Sequence, residues 1–409
     1  MTAPPASPAS DRARPLVPRR YRQDPRWSER VAAPLRLVAG PGAKPSPRDV
    51  VRLQEGLWRR DEPGAALVEA IRRERSVTMR QVSEALADAG RGGTDAEAPE
   101  RTPEPLRDFL RVLDPRPAWV DDDLLDRGAR ACRRFGVDGL RVLGVGSLLG
   151  GYRTAAALEP LVRTGRLGGP DADRRIAETS AWWLAVTAPG GLAPGAEGWR
   201  LSVHVRVMHA MVNDQLERAD DWDWELRGTP INQYDQASTL GVFSTSFLLH
   251  ARLMGHRVSR RDGDAVMHLW SYVGWLMGVE EEWLPRTERI GRRLLYRFLA
   301  GDPPPDQNTL DLARALIDSF DTPERGPLAA RWERERVLSN ATGLLGPGAM
   351  RDLGLPVRPP WFTLWRTAVN VPLTHGLGRV PGTGGLLLRR GNASIRRELA
   401  RLGQDASAV

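Results

Sequence analysis

The sequence predicts an all-α protein built as a single large helical domain. Three observations carry that expectation. Nearly every periodic apolar segment repeats at three- and four-residue spacing, which is one face of a helix. Neither an alternating strand nor a hairpin signal separates these segments. No segment recurs at a fixed period, so helical arrays and propellers are not expected. At 409 residues and 41% hydrophobic, the chain can bury a large core.

Residues 1–38 open as a Pro-, Ala-, Ser- and Arg-rich stretch that reads as a disordered tail. Its Arg19-Arg20 pair is followed by Tyr21-Arg22-Gln23-Asp24-Pro25 and not by an apolar run, so no twin-arginine signal is read there. The helical domain is expected over 39–403. Ser46 caps a helix over Pro47–Arg60 that turns Val50, Val51, Leu53 and Leu57 inward, and Asp61-Glu62-Pro63-Gly64 breaks it. Thr94–Pro105 is a Gly/Ala/Pro/acid loop. Asp121-Asp122-Asp123 opens a helix to about Phe135, where three acids suit the helix dipole; metal binding by the triplet is the weaker alternative.

Gly139–Leu161 reads as a glycine-interrupted apolar helix or helix pair. Helices follow at Asp171–Thr187, Gly198–Arg218 and Gln233–Gly255. Ser259–Gly278 is another, with Ser259 as cap and Gly278 as stop. Glu280–Ala300, Gln307–Phe320 and Pro327–Leu344 complete the main set. Beyond Gly376 the chain is Gly/Arg-rich and turns helical again at Asn392–Leu402.

Composition excludes several functions. The net charge is +8, yet only Lys44 among 59 basic residues is lysine, and the arginines are interleaved with acids, as in Arg286-Thr287-Glu288-Arg289. That is a salt-bridged surface and not a nucleic-acid arm. One cysteine, Cys132, rules out internal disulfides and cysteine-ligated clusters. No run of 18 apolar residues is present, so no membrane span is expected and the protein reads as cytoplasmic. None of the six histidines has Glu three positions before it, which removes the di-iron Glu-x-x-His pattern, and His-Glu-x-x-His is missing too.

Within Val205-Arg206-Val207-Met208-His209-Ala210-Met211-Val212, an imidazole lies mid-helix among apolar residues with a guanidinium one turn earlier. Neutral imidazole is a good axial haem ligand, and arginine is the usual partner of a carboxylate. A satisfied core histidine is the alternative. Gly144-Val145-Gly146-Ser147-Leu148-Leu149-Gly150-Gly151 permits the close approach of a flat group, and a helix–helix contact accounts for it almost as well. Glu159 sits on an apolar helix, where an acid is costly unless paired or useful. Arg175 and Thr179 share one helix face, with Trp182 and Trp183 nearby. A buried Glu–Arg bridge is the structural alternative for Glu159 and Arg175.

Between Gly139 and Gly278 the chain resembles the haem-binding MpaB/rubber oxygenase family, to which the latex clearing proteins belong. The matching stretches, in the family's order, are Arg175-Ile176-Ala177-Glu178-Thr179, Val205–Ala210, Pro230-Ile231-Asn232-Gln233 and Leu269–Gly278. The resemblance implies a globin-like core, at about 139–300, that holds haem b without covalent attachment. It implies His209 as the iron's axial ligand, Arg175 and Thr179 on the distal helix, Glu159 as a catalytic acid/base, and Arg206 in a propionate or structural role. Latex clearing proteins carry lysine where this chain has Glu178. The function implied is an oxygenase using O2 on an apolar, isoprenoid- or polyketide-like substrate, with oxidative C=C cleavage the reaction carried over. A non-catalytic haem sensor or carrier is the alternative.

Overall fold

Short polar residues one position ahead of the apolar runs set the helix starts. Asp24 caps α1 (Pro25–Ala39) and Ser46 caps α2 (Pro47–Gly56), where Ser46 and Asp49 form a reciprocal capping box. Asp61 precedes α3 (Glu62–Glu69), Thr78 caps α4 (Met79–Asp88), α5 spans Glu104–Arg111, and Asp121 caps α6 (Asp122–Arg134). The computed structural model describes residues 17–89, 102–163, 170–320, 326–380 and 382–401, and there is no strand among them.

α7 (Val137–Arg141) runs through a π-turn into α8 (Leu149–Gly151), and a short break separates these from α9 (Glu159–Arg163). α10 (Pro170–Val186) and α11 (Glu197–Glu217) follow, then α12 (Trp224–Arg227). α13 (Gln233–Gly241) passes through a second π-turn into α14 (Phe247–Leu253). α15 (Arg260–Leu276), capped by Ser259, leads to α16 (Glu288–Leu299) and α17 (Gln307–Asp318). α18 (Pro327–Asp352), α19 (Trp361–Val371) and α20 (Gly384–Arg401) complete the chain.

α15 is the central rod. Every residue from Ala265 to Leu276 except Trp275 is buried, so this stretch is enclosed by its neighbours on nearly all sides. It lies along α6, and Gly128 makes the fit possible: a Cβ there would stand 2.5 Å from the Ala265 carbonyl oxygen. A smaller core gathers Val145, Leu149, Leu316, Ile317, Val337 and Met350 between the α7–α8 segment, α17 and α18.

Several expectations are corrected. Part of the expected tail is ordered: Asp24 and Pro25 start α1, which packs on α16. Residues 1–16 and most of Thr94–Pro105 lie outside the described residues. Asp61-Glu62-Pro63-Gly64 does not only break a helix but begins α3, since proline is tolerated in a first turn. Glu280–Ala300 is two elements, because the chain around Leu284 and Pro285 is non-helical. The helix predicted to end at Leu344 continues to Asp352 across a kink, where Gly346 takes φ 83° ahead of Pro347. The Gly144–Gly151 glycines serve helix contacts and not a flat ligand: a Cβ at Gly146 would meet His250, at Gly150 Leu345 and at Gly151 Val242.

The segment before α1 is clasped to α13. Arg20 donates to both carboxylate oxygens of Asp235, at 2.9 and 2.7 Å, with both groups buried. Tyr234 donates to the Phe298 carbonyl at 2.7 Å and to Asp302 at 3.1 Å. Burial raises the Asp302 carboxyl from 3.8 to about 7, reinforced by Asp235 and opposed by Arg20.

Two outcomes follow from this packing. Gly128→Ala should lower unfolding stability by about 1–3 kcal/mol, because α6 and α15 must separate around the added methyl group; urea denaturation followed by tryptophan fluorescence measures it. As pH rises from 3.8 towards 7, unfolded Asp302 loses its proton while folded Asp302 keeps it. The unfolded state then binds fewer protons, so stability falls through this window. Asp302→Asn should flatten that part of the stability–pH curve relative to the parent.

Candidate active site

α10 and α11 form an antiparallel hairpin. Gly198 at the start of α11 lies against the backbone of Ala185 at the end of α10; a Cβ there would be 2.8 Å from the Ala185 carbonyl carbon. One turn further, Trp182 Nε1 donates to Ser202 Oγ at 3.0 Å. Seven residues is two turns, within about 20° of the same face. His209 therefore lies on the stripe of α11 that carries Ser202 towards α10. It is also level with the α10 turn that carries Arg175, whose side chain lies outside the described residues.

His209 is half-buried. Arg206, one turn earlier, is buried. Its Nε and Nη2 donate to the two carboxylate oxygens of Asp61, each at 2.6 Å, across 145 residues of sequence. The guanidinium also sits over the Phe109 ring, 5.2 Å from its centroid. Asp61 precedes α3 without capping it through its side chain, because that side chain is committed to Arg206. Gly64 and Gly278 leave the room. A Cβ at Gly64 would stand 2.4 Å from Asp61 Oδ2, and one at Gly278 would stand 2.9 Å from Arg206 Nε. Gly278 also takes φ +86°, so its place as the stop after α15 and its place beside this pair coincide.

His209, Arg206 and Asp61 border one cleft with Asn213, Gln236 and Met277. Its room is about 10 Å³, enough for a water molecule and not for a macrocycle. The donor chemistry of the helix still fits a haem iron: a half-buried imidazole on a largely apolar stretch. Near the Trp182–Ser202 bridge, the rings of Trp182, Phe243 and Trp270 lie 5.3–5.6 Å apart and make an aromatic wall of the kind that suits a flat apolar group. Arg206 already has its carboxylate.

Glu159 and Thr179 do not border the His209 cleft. Glu159 is buried, with Oε1 accepting from Arg163 Nε at 2.8 Å and Oε2 lying 3.2 Å from Arg227 Nη1. Asn308 Nδ2 reaches the same oxygen at 3.5 Å. The acid thus ties α9 to α12 and α17. Thr179 is half-buried on α10, and Glu178 beside it is exposed, 3.7 Å from Arg174. Cys132 is buried and its thiol is raised to about 12, which removes it as a nucleophile. Asp61 and Gln236 were not singled out as site residues from the sequence, whereas Asn213 was read as a polar group beside His209. Asp61 had one usable signal, since a buried arginine at Arg206 requires an acid.

A family model described as "ER-bound oxygenase mpaB/B'/Rubber oxygenase, catalytic domain" matches residues 133–375. Glu159, Arg175, Thr179, Arg206 and His209 all fall inside that stretch. The chain is 26% identical over 258 residues to the rubber oxygenase of Streptomyces sp. (strain K30), spanning 62% of this chain and 63% of that protein. Less than two thirds of the relative's length is therefore matched. The structure of latex clearing protein LCP in the closed state superposes with a TM-score of 0.64 at 22% identity, over 83% of this chain and 91% of that one. That likeness establishes a shared fold.

Breaking the Arg206–Asp61 pair should be costly, because the remaining charge stays buried. Asp61→Asn or Arg206→Met should each destabilise the protein by about 3–5 kcal/mol in urea denaturation. The double variant Asp61→Leu/Arg206→Met should recover part of that loss. A double-variant loss equal to the sum of the two single losses would show that the two residues act separately.

Proposed function

The chain belongs to the ER-bound oxygenase mpaB/B'/rubber oxygenase catalytic-domain family, and from that premise we propose that it is a haem b-dependent oxygenase using O2 on an apolar, isoprenoid- or polyketide-like substrate. The observation that carries this reading is His209. It is a half-buried imidazole on the α10-facing stripe of α11, in the stretch where the family match lies. His209 would hold the iron through a neutral ring nitrogen. Haem b, when bound, supplies the O2-activating chemistry that no side chain of this protein can supply.

The protein's own residues then have separable tasks. Arg206, locked to Asp61, fixes the position of α11 and so of His209; it is a positioning residue. Trp182, Phe243 and Trp270 exclude water from the hairpin interior. Thr179 offers a hydroxyl on the helix facing His209, and Arg175 on the same helix would stabilise developing negative charge on oxygen. Glu159 would take up a substrate proton, and for that one of its two cations, Arg163 or Arg227, must first withdraw. Cleavage of a C=C bond is the outcome that fits the family premise.

One observation favours a second reading. The full engagement of Glu159 by Arg163 and Arg227, with Asn308 alongside, is what a purely structural acid would show. A haem-binding sensor or carrier needs no more than that.

Purified protein expressed with ample haem should show a Soret band, and His209→Ala should lose it. A colourless parent protein, or an unchanged spectrum in the variant, would refute the assignment. With reduced protein, isotopically labelled O2 and a panel of apolar alkenes, label should enter product. Glu159→Gln should retain the Soret band and lose about a hundredfold in rate. Absence of label across the panel, with the Soret band intact, would select the carrier reading.

A further inference from the structure

α19 is amphipathic in the reverse sense. Its inner face buries Phe362 and is anchored by polar groups: Arg366 and Asn370 donate to buried Asp138, at 2.6 and 2.8 Å, and His256 Nε2 lies 3.1 Å from the same carboxylate. Its outer face is apolar. Trp361, Leu364, Trp365, Ala368, Val371 and Pro372 are all exposed, at the spacing of a single helix face. Leu364 is 63% and Trp365 53% exposed. The stripe continues onto α18, where Trp332 is 61% exposed with its ring centroid 5.1 Å from that of Trp361, and Leu328 stands one turn earlier. Of the fourteen tryptophans, only these three are exposed.

The same part of the chain holds all of its net charge. Residues 327–401 contain twelve arginines and four acidic residues, an excess of eight that equals the formal +8 of the whole protein. Arg331, Arg379, Arg389 and Arg390 are exposed and make no salt bridge among the described residues. Between the α19 end and α20, against the inner face that carries Arg366 and Asn370, lies a cleft of about 500 Å³. Leu373 and Leu387 line it together with Arg257, Arg390 and Arg397. Arg257 and Arg397 bond backbone carbonyls of Gly378 and Ala393 and not carboxylates.

We propose that this face docks the protein on an anionic membrane surface, with the Trp361–Pro372 stripe entering the interface and the arginine-lined cleft receiving a lipid headgroup phosphate. Exposed tryptophans beside arginines are the side chains that settle at the boundary between headgroup and acyl chain. A contiguous apolar patch on a folded surface marks an interaction site, and the uncompensated arginines select an anionic partner. None of the described helices is long and apolar enough to cross a bilayer. The proposal does not require haem.

The test is flotation of the full chain with vesicles of phosphatidylcholine alone or mixed equally with phosphatidylglycerol. The chain should float with the mixed vesicles and not with phosphatidylcholine alone, release as salt is raised, and show a blue shift of tryptophan emission on binding. Trp361→Ser/Leu364→Ser/Trp365→Ser and Arg389→Gln/Arg390→Gln should each weaken binding about tenfold or more, with circular dichroism unchanged. Failure of the parent chain to float with the mixed vesicles, or to shift its emission, would overturn the proposal. So would unchanged binding in both variants, or a concentration-dependent dimer that the tryptophan variant dissolves, since the stripe would then be covered by a second copy.

Discussion

The buried pair between Arg206 and Asp61 is the constraint on which the site depends. It joins α11 to the start of α3 through two 2.6 Å bonds. A charge removed from water is tolerated only when its partner and geometry are fixed. The pair therefore demands that its surroundings leave room, and they do: Gly64 and Gly278 are the two places where a methyl group would strike it. Because Gly278 also ends α15, the most buried helix of the protein sets the level at which the pair forms. His209 inherits that level, one turn along α11. The Trp182–Ser202 bond holds the same helix against α10 one turn earlier. α11 is thus held by two directional contacts one turn apart, and the imidazole has little freedom to shift along the axis.

Much of this helical framework was legible in the sequence because it is local. Ser46 with Asp49, Asp121 and Ser259 sit where short polar side chains satisfy the first free backbone N–H groups, and their helices begin there. The helical setting of His209 was legible for a related reason: its neighbours carry the apolar spacing of one long helix. Asp61 was not, since its value comes from a partner 145 residues away, and its own neighbours read as a helix breaker. The Gly144–Gly151 run was ambiguous in principle. Glycine marks close approach, and only the opposing His250, Leu345 and Val242 identify what approaches.

α19 exposes a second limit of periodicity. A stripe of Trp361, Leu364, Trp365 and Val371 has the spacing of a core-facing helix, and nothing in that spacing says which way it faces. The decision lies with Asp138, which draws Arg366, Asn370 and His256 to the interior. Once those polar groups are buried and paired, the apolar face has to turn outward. Hydrophobic pattern gives the axis of an amphipathic helix, while the cost of leaving a buried charge unpaired gives its sense.

The same rule separates Glu159 from Arg206, two charged residues that sequence logic grouped into one site. Arg206 has a single acid partner in ideal bidentate geometry, with a guanidinium and a carboxylate balancing one to one. Glu159 has two guanidiniums, Arg163 and Arg227, so its cluster carries one positive charge beyond balance until Asp221 is counted; Arg163 Nη1 lies 2.7 Å from that exposed acid. An ion pair with one buried partner is hard to open, because opening strands both charges. A cluster in which one cation has an alternative, solvent-exposed acid is easier to open, because Arg163 can keep a partner while it leaves Glu159. The asymmetry makes the first arrangement suited to holding a helix still and the second to freeing a carboxylate. The two roles given to these residues therefore rest on how many partners each charge has and where those partners meet water.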